Sequence, residues 1–189
     1  METLTSRARS ILLQPRPTWK EIDSEFTKPG ELWMKYIMPL ALLGPIAGTI
    51  GLLLFGERIA FTSLTNSVPL SKAITYGVVN YVLALFSVWV ISKIISLLAP
   101  GFGGQKNDVQ ALKASAYSMT PLWLGAVFSI HPALAIVSLI FALYSLYLLY
   151  VGLPIVMKVP GDRAMGYTAV VIIAAFVVYL IMGAILTAF

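Results

Sequence analysis

The sequence contains no cysteine, only one histidine and few charged residues, which make up 11% of the chain. Without cysteine, disulfides and thiolate metal sites are excluded. A hydrolytic triad or a histidine-based metal centre needs several converging side chains, and no acidic residue lies well inside an apolar segment to join His131. We therefore expect a non-enzymatic protein with no catalytic residue, no metal and no cofactor.

The low charge is accompanied by a hydrophobic content of 59% and a mean hydropathy of +0.88. A soluble domain keeps roughly a quarter of its residues charged, and a bilayer core about 30 Å thick is crossed by about 20 apolar residues in a helix. We therefore predict an all-α, polytopic membrane protein built as a bundle of five transmembrane helices. The predicted spans are Tyr36–Phe55, Ala73–Ala99, Val109–Ile130, Ala133–Leu153 and Gly166–Phe189.

Positive charge is distributed unevenly around these spans. Of the 13 lysines and arginines, eleven fall on the side of the N-terminus and two on the other side. Because basic loops stay in the cytoplasm, we expect a cytoplasmic N-terminus and a C-terminus outside. Residues 1–35 then form a cytoplasmic segment with short interfacial helices, and residues 36–189 form the five-span domain. Since the charges lie beside a membrane, we expect contact with lipid headgroups and no nucleic-acid partner.

Local patterns predict how the N-terminal segment folds. Leu4, Ala8 and Ile11 recur at helical spacing, as in an amphipathic helix that lies on an anionic membrane surface. Thr18 and Glu21 have the spacing of a capping box, which would begin a second helix at Thr18. Both helices are therefore expected to lie at the cytoplasmic interface.

The third span begins with a polar stretch. Asp108 is predicted to cap its first turn by accepting free amides, and Lys113 is expected to extend its ammonium to the headgroups. Pro121 frees a helix carbonyl, which either lines a polar cavity or is recaptured by a neighbour. Gly44 and Gly48 have the spacing that lets two helices approach closely. One hypothesis is a polar cleft open to the cytoplasm, with the candidate residues Gly44, Pro45, Asn80, Ser118 and Pro121.

Four stretches of the sequence together resemble the Yip-one domain family, the Ypt/Rab-interacting five-span membrane proteins, and in particular its prokaryotic branch. They are ILLQPRPTWKEI, YIMPLALLGPI, FGGQKNDVQALKASAYSMTP and LYSLYLLYVGLP. The resemblance covers nearly the whole chain, and none of the four stretches is a catalytic signature. It implies a five-span membrane protein, in the inner membrane of a prokaryote.

Two motifs of the family are only partly present. Where family members carry D-L-x-G-P, residues 41–45 read ALLGP, without the acidic residue. Where they carry G-Y-S-x-x-P, residues 116–121 read AYSMTP, with alanine in place of glycine. The known functions of the family, binding prenylated Rab-type GTPases and shaping membranes, are therefore not carried over as a whole.

These observations predict a non-enzymatic membrane scaffold or adaptor of the Yip type, which organises membrane or recruits partners at the cytoplasmic face. The expected partners are the lipid bilayer, a membrane or cytoplasmic protein of unknown identity, and a second copy of the chain in a homo-oligomer. The alternatives are a channel or carrier for an ion or small solute, and a lipid-handling protein. The candidate contact residues are the apolar anchors Trp19, Phe26 and Tyr117 and the headgroup-binding residues Arg7, Arg9 and Lys106.

Overall fold

The computed structural model of the chain describes residues 3–58 and 65–187. The ends of two predicted segments, residues 1–2 and 188–189, lie outside this part. The described chain is helical except for its connections and one short antiparallel ladder, in which β1 (Glu57–Arg58) pairs with β2 (Thr65–Asn66).

Ten α-helices are found in the described ranges. They are α1 (Leu4–Leu13), α2 (Pro15–Ser24), α3 (Pro29–Leu32), α4 (Met38–Ala41), α5 (Leu43–Phe55), α6 (Leu70–Leu98), α7 (Asp108–Ser118), α8 (Thr120–Gly125), α9 (Ala135–Val156) and α10 (Gly161–Leu186). A π-helical turn, Trp33–Ile37, joins α3 to α4. Three 3-10 turns cover Ala99–Phe102, Ala126–Ile130 and Pro132–Leu134.

Four helical stretches in the described chain are long and apolar enough to cross a membrane: Pro29–Phe55, Leu70–Phe102, Ile136–Val156 and Gly161–Leu186. They correspond to the first, second, fourth and fifth predicted spans. Their outer surfaces expose large apolar side chains such as Ile173 and Phe176, which water would not solvate favourably. The chain is therefore an integral membrane protein.

The third predicted span is not one long helix but is divided into α7, α8 and a 3-10 turn. Pro121 has no amide hydrogen to donate to the carbonyl one turn earlier, and the amide of Leu122 donates instead to Ser145 Oγ, 2.9 Å away on α9. Every residue from Ala111 to Pro121 is buried. The divided segment thus lies in the middle of the bundle, packed against α6 and α9.

Close packing at Gly44 and Gly48 is confirmed. A Cβ atom on Gly44 would lie 3.2 Å from the Cβ of Ala126, and one on Gly48 would lie 3.3 Å from the ring of Tyr76 on α6. Gly51 continues the strip, because a Cβ there would lie 2.7 Å from the carbonyl oxygen of Ile130. Gly44 and Gly51 let α5 approach the end of the divided segment, and Gly48 lets it approach α6.

Two capping predictions are wrong. Thr18 lies inside α2, where its hydroxyl donates to the Gln14 carbonyl oxygen at 2.7 Å. The helix begins earlier, at Pro15, because the fixed φ of proline suits the first turn and its missing amide costs nothing there. The cap of α7 is Asn107, whose Oδ1 accepts from two amides at 3.0 and 3.1 Å. Asp108 is the first helical residue instead.

The two ends of the bundle are built from different parts of the chain. At one end, which we call the N-terminal face, lie the end of α2, the linker after it and the loops 103–107 and 157–160. These loops are joined by a hydrogen bond from the Gln105 amide to the Met157 carbonyl, 2.8 Å. At the opposite face, the rings of Phe55 and His131 meet edge to face with centroids 4.6 Å apart.

Candidate functional site

A buried lysine holds α2 on the N-terminal face. Lys113 Nζ donates to the carbonyl oxygens of Ile22 at 2.8 Å and Glu25 at 2.5 Å, and the side chain is 1% exposed. The last carbonyls of a helix lack partners within the helix and attract a cation. The prediction that Lys113 reaches the headgroups is therefore wrong, because these carbonyls give its ammonium closer partners.

Ion pairs add to this attachment. Arg7 on α1 is 5% exposed, and its guanidinium lies 2.7 Å from Glu25 Oε2 and 3.5 Å from Glu21 Oε2. Lys158, in the loop after α9, pairs with Asp23. These contacts join α1 to α2 and α2 to the bundle, so that the two helices form a fixed surface.

Aromatic packing fills the space beneath the two helices. Trp19 is fully buried and lies over Gly152, where any side chain would overlap the indole. Its ring meets Tyr117 edge to face with centroids 6.3 Å apart, and Tyr117 meets Tyr36 in the same way at 4.8 Å. The hydroxyl of Tyr36 is hydrogen-bonded to that of Thr120 at 2.7 Å.

A cavity of about 280 Å³ opens between α1, the linker after α2 and the first span. It brings together three of the predicted contact residues, Arg7, Phe26 and Tyr117. Phe26 is 86% exposed, the highest exposure among the exposed large apolar side chains of the described residues. The cavity also has charged residues of both signs in its wall, which are Glu25, Lys28, Glu31 and Lys35.

The other predicted contact residues lie elsewhere. Arg9 is exposed on α1 and Lys106 is exposed in the loop before α7, and neither lines the cavity. Trp19 lies behind Tyr117 without access to solvent. In this conformation Phe26 is accessible at the N-terminal face and Trp19 is not.

The residues predicted to form one polar cleft are divided between two cavities. Gly44 and Asn80 line a cavity of about 360 Å³ that reaches Gly56 and Ile130, towards the opposite face. Ser118 lines a separate, apolar groove of about 580 Å³ between α7, α8, α9 and α10. Pro45 and Pro121 are buried in helix packing. The five residues therefore do not share a single cavity.

Residues 3–58 and 65–187 contain no group of three or more His, Cys, Asp or Glu side chains that could hold a metal ion. His131 has a local role, since its Nδ1 accepts from the amide of Ala133 at 3.1 Å in the turn before α9. The charged residues around Phe26 were not predicted as part of a site. The sequence signal that could have indicated this site is the alternation of acidic and basic residues around Phe26 in residues 25–35, EFTKPGELWMK.

In a comparison with protein families, the Yip1 domain profile matches residues 9–183. This range includes α2, Phe26 and the four spanning stretches except for the last three residues of Gly161–Leu186. No curated protein and no solved structure matches the chain.

Proposed function

The chain belongs to the Yip1 domain family, which consists generally of non-catalytic membrane proteins, and from this membership we propose that it is a non-enzymatic membrane scaffold or adaptor. It recruits a protein partner at the N-terminal face. The observation that carries the proposal is the exposed Phe26 beside the charged cavity, on helices that are fixed to the bundle.

Phe26 has the properties of an interface anchor. Aromatic side chains contribute much of the binding energy at protein interfaces when a partner buries them. Because Phe26 is 86% exposed, a partner can bury most of its surface. The cavity wall offers Glu31 and Lys35, paired at 3.1 Å, to polar groups that surround the anchor. The partner that fits is a protein segment with an apolar pocket or an apolar residue that is flanked by both acidic and basic side chains.

The fixed position of α1 and α2 favours this role. A surface that is already ordered loses little conformational entropy when a partner binds. Lys113, Arg7 and Trp19 supply that order from beneath, so their burial supports the proposal even though a partner does not touch Trp19. Their role in recruitment is to position Phe26.

We further propose five spans, with the divided segment 109–130 as the third span along the chain. Asp108, directly before it, lies 2.6 Å from Lys93 near the N-terminal face, and its last residue, Ile130, lies against Gly51 near the opposite face. A broken helix is tolerated at membrane depth when protein surrounds it, as it does here from Ala111 to Pro121.

Five spans place the termini on opposite sides of the membrane. The excess of lysine and arginine at the N-terminal face then assigns that face to the cytoplasm, and the family resemblance favours a prokaryotic inner membrane. Single cysteines at Lys106 and Ala133 test this topology with an impermeant maleimide in sealed vesicles of known orientation. Labelling from opposite sides supports five spans, and labelling from the same side excludes them.

The recruiting role is tested by photo-crosslinking in native membranes from a reactive residue at Lys28, which lines the cavity. We expect one discrete protein adduct that is lost in Phe26→Ser. The matched control is Leu97→Ser, because Leu97 is 64% exposed near the same face but does not line the cavity. Adducts only to lipid or to the chain itself, or equal loss in both variants, would exclude the adaptor role.

One observation favours the alternative of a channel or carrier. The cavity of about 360 Å³ has polar groups from Asn80, Ser129 and Tyr76 in its wall, although no charged residue lines it. Flux of ions and small solutes through protein reconstituted in liposomes, compared with Asn80→Leu, measures this function. Absence of any flux above empty liposomes would remove the alternative. The apolar groove at Ser118 similarly motivates a lipid-transfer assay in the same liposomes.

A further inference from the structure

The turn between α1 and α2 lies beside the apolar part of α9, not beyond its end. Three contacts show that α2 runs alongside α9. Just after the end of α9, Asp23 pairs with Lys158, and within α9, Trp19 lies over Gly152. Further along, the Tyr144 hydroxyl donates to the Leu12 carbonyl oxygen at 2.6 Å. At a rise of 1.5 Å per residue, Tyr144 is about 18 Å along the helix from its end at Val156. The helical pair therefore extends along α9 into the span.

Aromatic residues mark where the membrane begins on this side. Trp89 on α6 is 48% exposed, and Tyr150 on α9 is 51% exposed. Tryptophan and tyrosine collect at the level of the lipid headgroups. Tyr147 on α9 is also exposed, at 42%, and Tyr144 lies about 4.5 Å farther from the N-terminal face than Tyr147, at 1.5 Å per residue. The turn that contacts Tyr144 is thus on the membrane side of this aromatic level.

The turn presents an apolar side chain to its surroundings. Leu13 is 68% exposed, whereas Ala8 and Ile11, which form the apolar face of α1, are buried against the protein. The amphipathic face predicted to contact lipid is therefore occupied by protein contacts. Leu13 is the large apolar side chain of this helix that remains available to the bilayer.

Basic residues surround the turn. Arg9, Arg16 and Lys20 are exposed on the two helices, with Arg16 three positions after Leu13. Such cations interact favourably with anionic lipid phosphates, and a long arginine side chain reaches the headgroups while its stem lies deeper. The arrangement of one inserted leucine and several flanking cations matches the chemistry of an interfacial anchor.

We infer that the α1–α2 turn inserts Leu13 into the hydrocarbon of the adjacent leaflet, with Arg9, Arg16 and Lys20 held by anionic headgroups. The ligand of this surface is the bilayer itself, and the site is separate from the cavity at Phe26. The inference does not depend on protein recruitment. It assigns the outer side of the two N-terminal helices to lipid and leaves the Phe26 side for a partner.

The absence of cysteine makes a direct depth measurement available in the full-length protein. A single cysteine replaces Leu13, Lys20 or Ile140, and each carries a nitroxide label in nanodiscs of phosphatidylcholine with or without phosphatidylglycerol. Ile140, 60% exposed on α9, is the reference within the membrane, and Lys20 is the reference near water. Collisions with oxygen report hydrocarbon, and collisions with a water-soluble nickel chelate report water.

We expect the Leu13 label to resemble that at Ile140, with an oxygen-to-nickel accessibility ratio severalfold above that at Lys20. The ratio at Leu13 should be higher with phosphatidylglycerol than in phosphatidylcholine alone, because anionic headgroups hold Arg16. Adding Arg16→Gln should remove that difference. A Leu13 label as accessible to nickel as Lys20 would overturn the inference. A label shielded from both reagents would also overturn it, because protein and not lipid would then cover the turn.

Discussion

Replacing Lys113 by methionine should release α2 from the bundle without unfolding the spans. Methionine keeps an unbranched apolar stem of similar length but removes the ammonium that donates to the carbonyls of Ile22 and Glu25. A hydrogen bond to a charged group contributes at least about 1.5 kcal/mol, so losing two destabilises the docked state by about 3 kcal/mol. At about 1.4 kcal/mol per tenfold change, the open state becomes about 100-fold more populated.

Hydrogen–deuterium exchange of the full-length protein in nanodiscs measures this opening. We expect the α2 amides to exchange about 100-fold faster in Lys113→Met, in proportion to the open population, while the amides of α10 keep their wild-type rates. Lys93→Met is the matched control, because Lys93 is half-exposed and pairs with Asp108 instead of α2. Unchanged exchange in α2, or faster exchange throughout the chain, would refute the role of Lys113 as a local attachment.

Three further substitutions test other contacts. Gly152→Val should displace Trp19 and raise the exchange rate of α2, whereas Gly161→Val, where a Cβ meets nothing within 4 Å, should not. Gly51→Val should lower the free energy of unfolding in detergent by about 1–3 kcal/mol, since its Cβ would lie 2.7 Å from a backbone oxygen, with Gly183→Val as the open-space control. A hydrogen bond from Lys93, and a weaker effect of one from Ser96, hold the pKa of Asp108 below its usual value of 3.8. The ionised carboxylate therefore stabilises the fold above pH 3.8. This stabilisation is lost as the pH falls through the lower pKa of the folded state. The thermal midpoint should therefore fall in acid, and Asp108→Asn should remove that part of the dependence; an unchanged acid profile would contradict the assignment.

The spans were predictable because hydropathy is a local property. The first, second, fourth and fifth predicted spans overlap long apolar helices, with boundaries that differ by up to seven residues. The third predicted span falls on the divided segment, which is not one of the four long apolar helices, and its division was not predicted. The amide of Leu122 bonds to Ser145 Oγ, a residue on another helix, and no pattern within the segment itself specifies that partner.

The candidate site was only partly predictable, because its side chains contact residues that are distant in the sequence. Phe26 was predicted as an apolar anchor for a partner; its side chain is exposed in the structure, and its contact role stays a prediction. Trp19 was assigned to the same surface, yet Gly152 provides space that buries it. Lys113 was assigned to the headgroups, whereas its partners, Ile22 and Glu25, lie about 90 residues away along the chain. Side-chain contacts between distant segments determined these two outcomes.

The adaptor account is tested most directly by comparing protein adducts from a photoreactive phenylalanine analogue, which keeps the aromatic ring, placed at position 26 or at position 97 in native membranes. Both positions are exposed near the N-terminal face, and they differ in that Phe26 lines the charged cavity and Leu97 does not. The account predicts a single partner captured from position 26 and little or none from position 97. Equal capture from both positions, or lipid as the sole product at position 26, would contradict it.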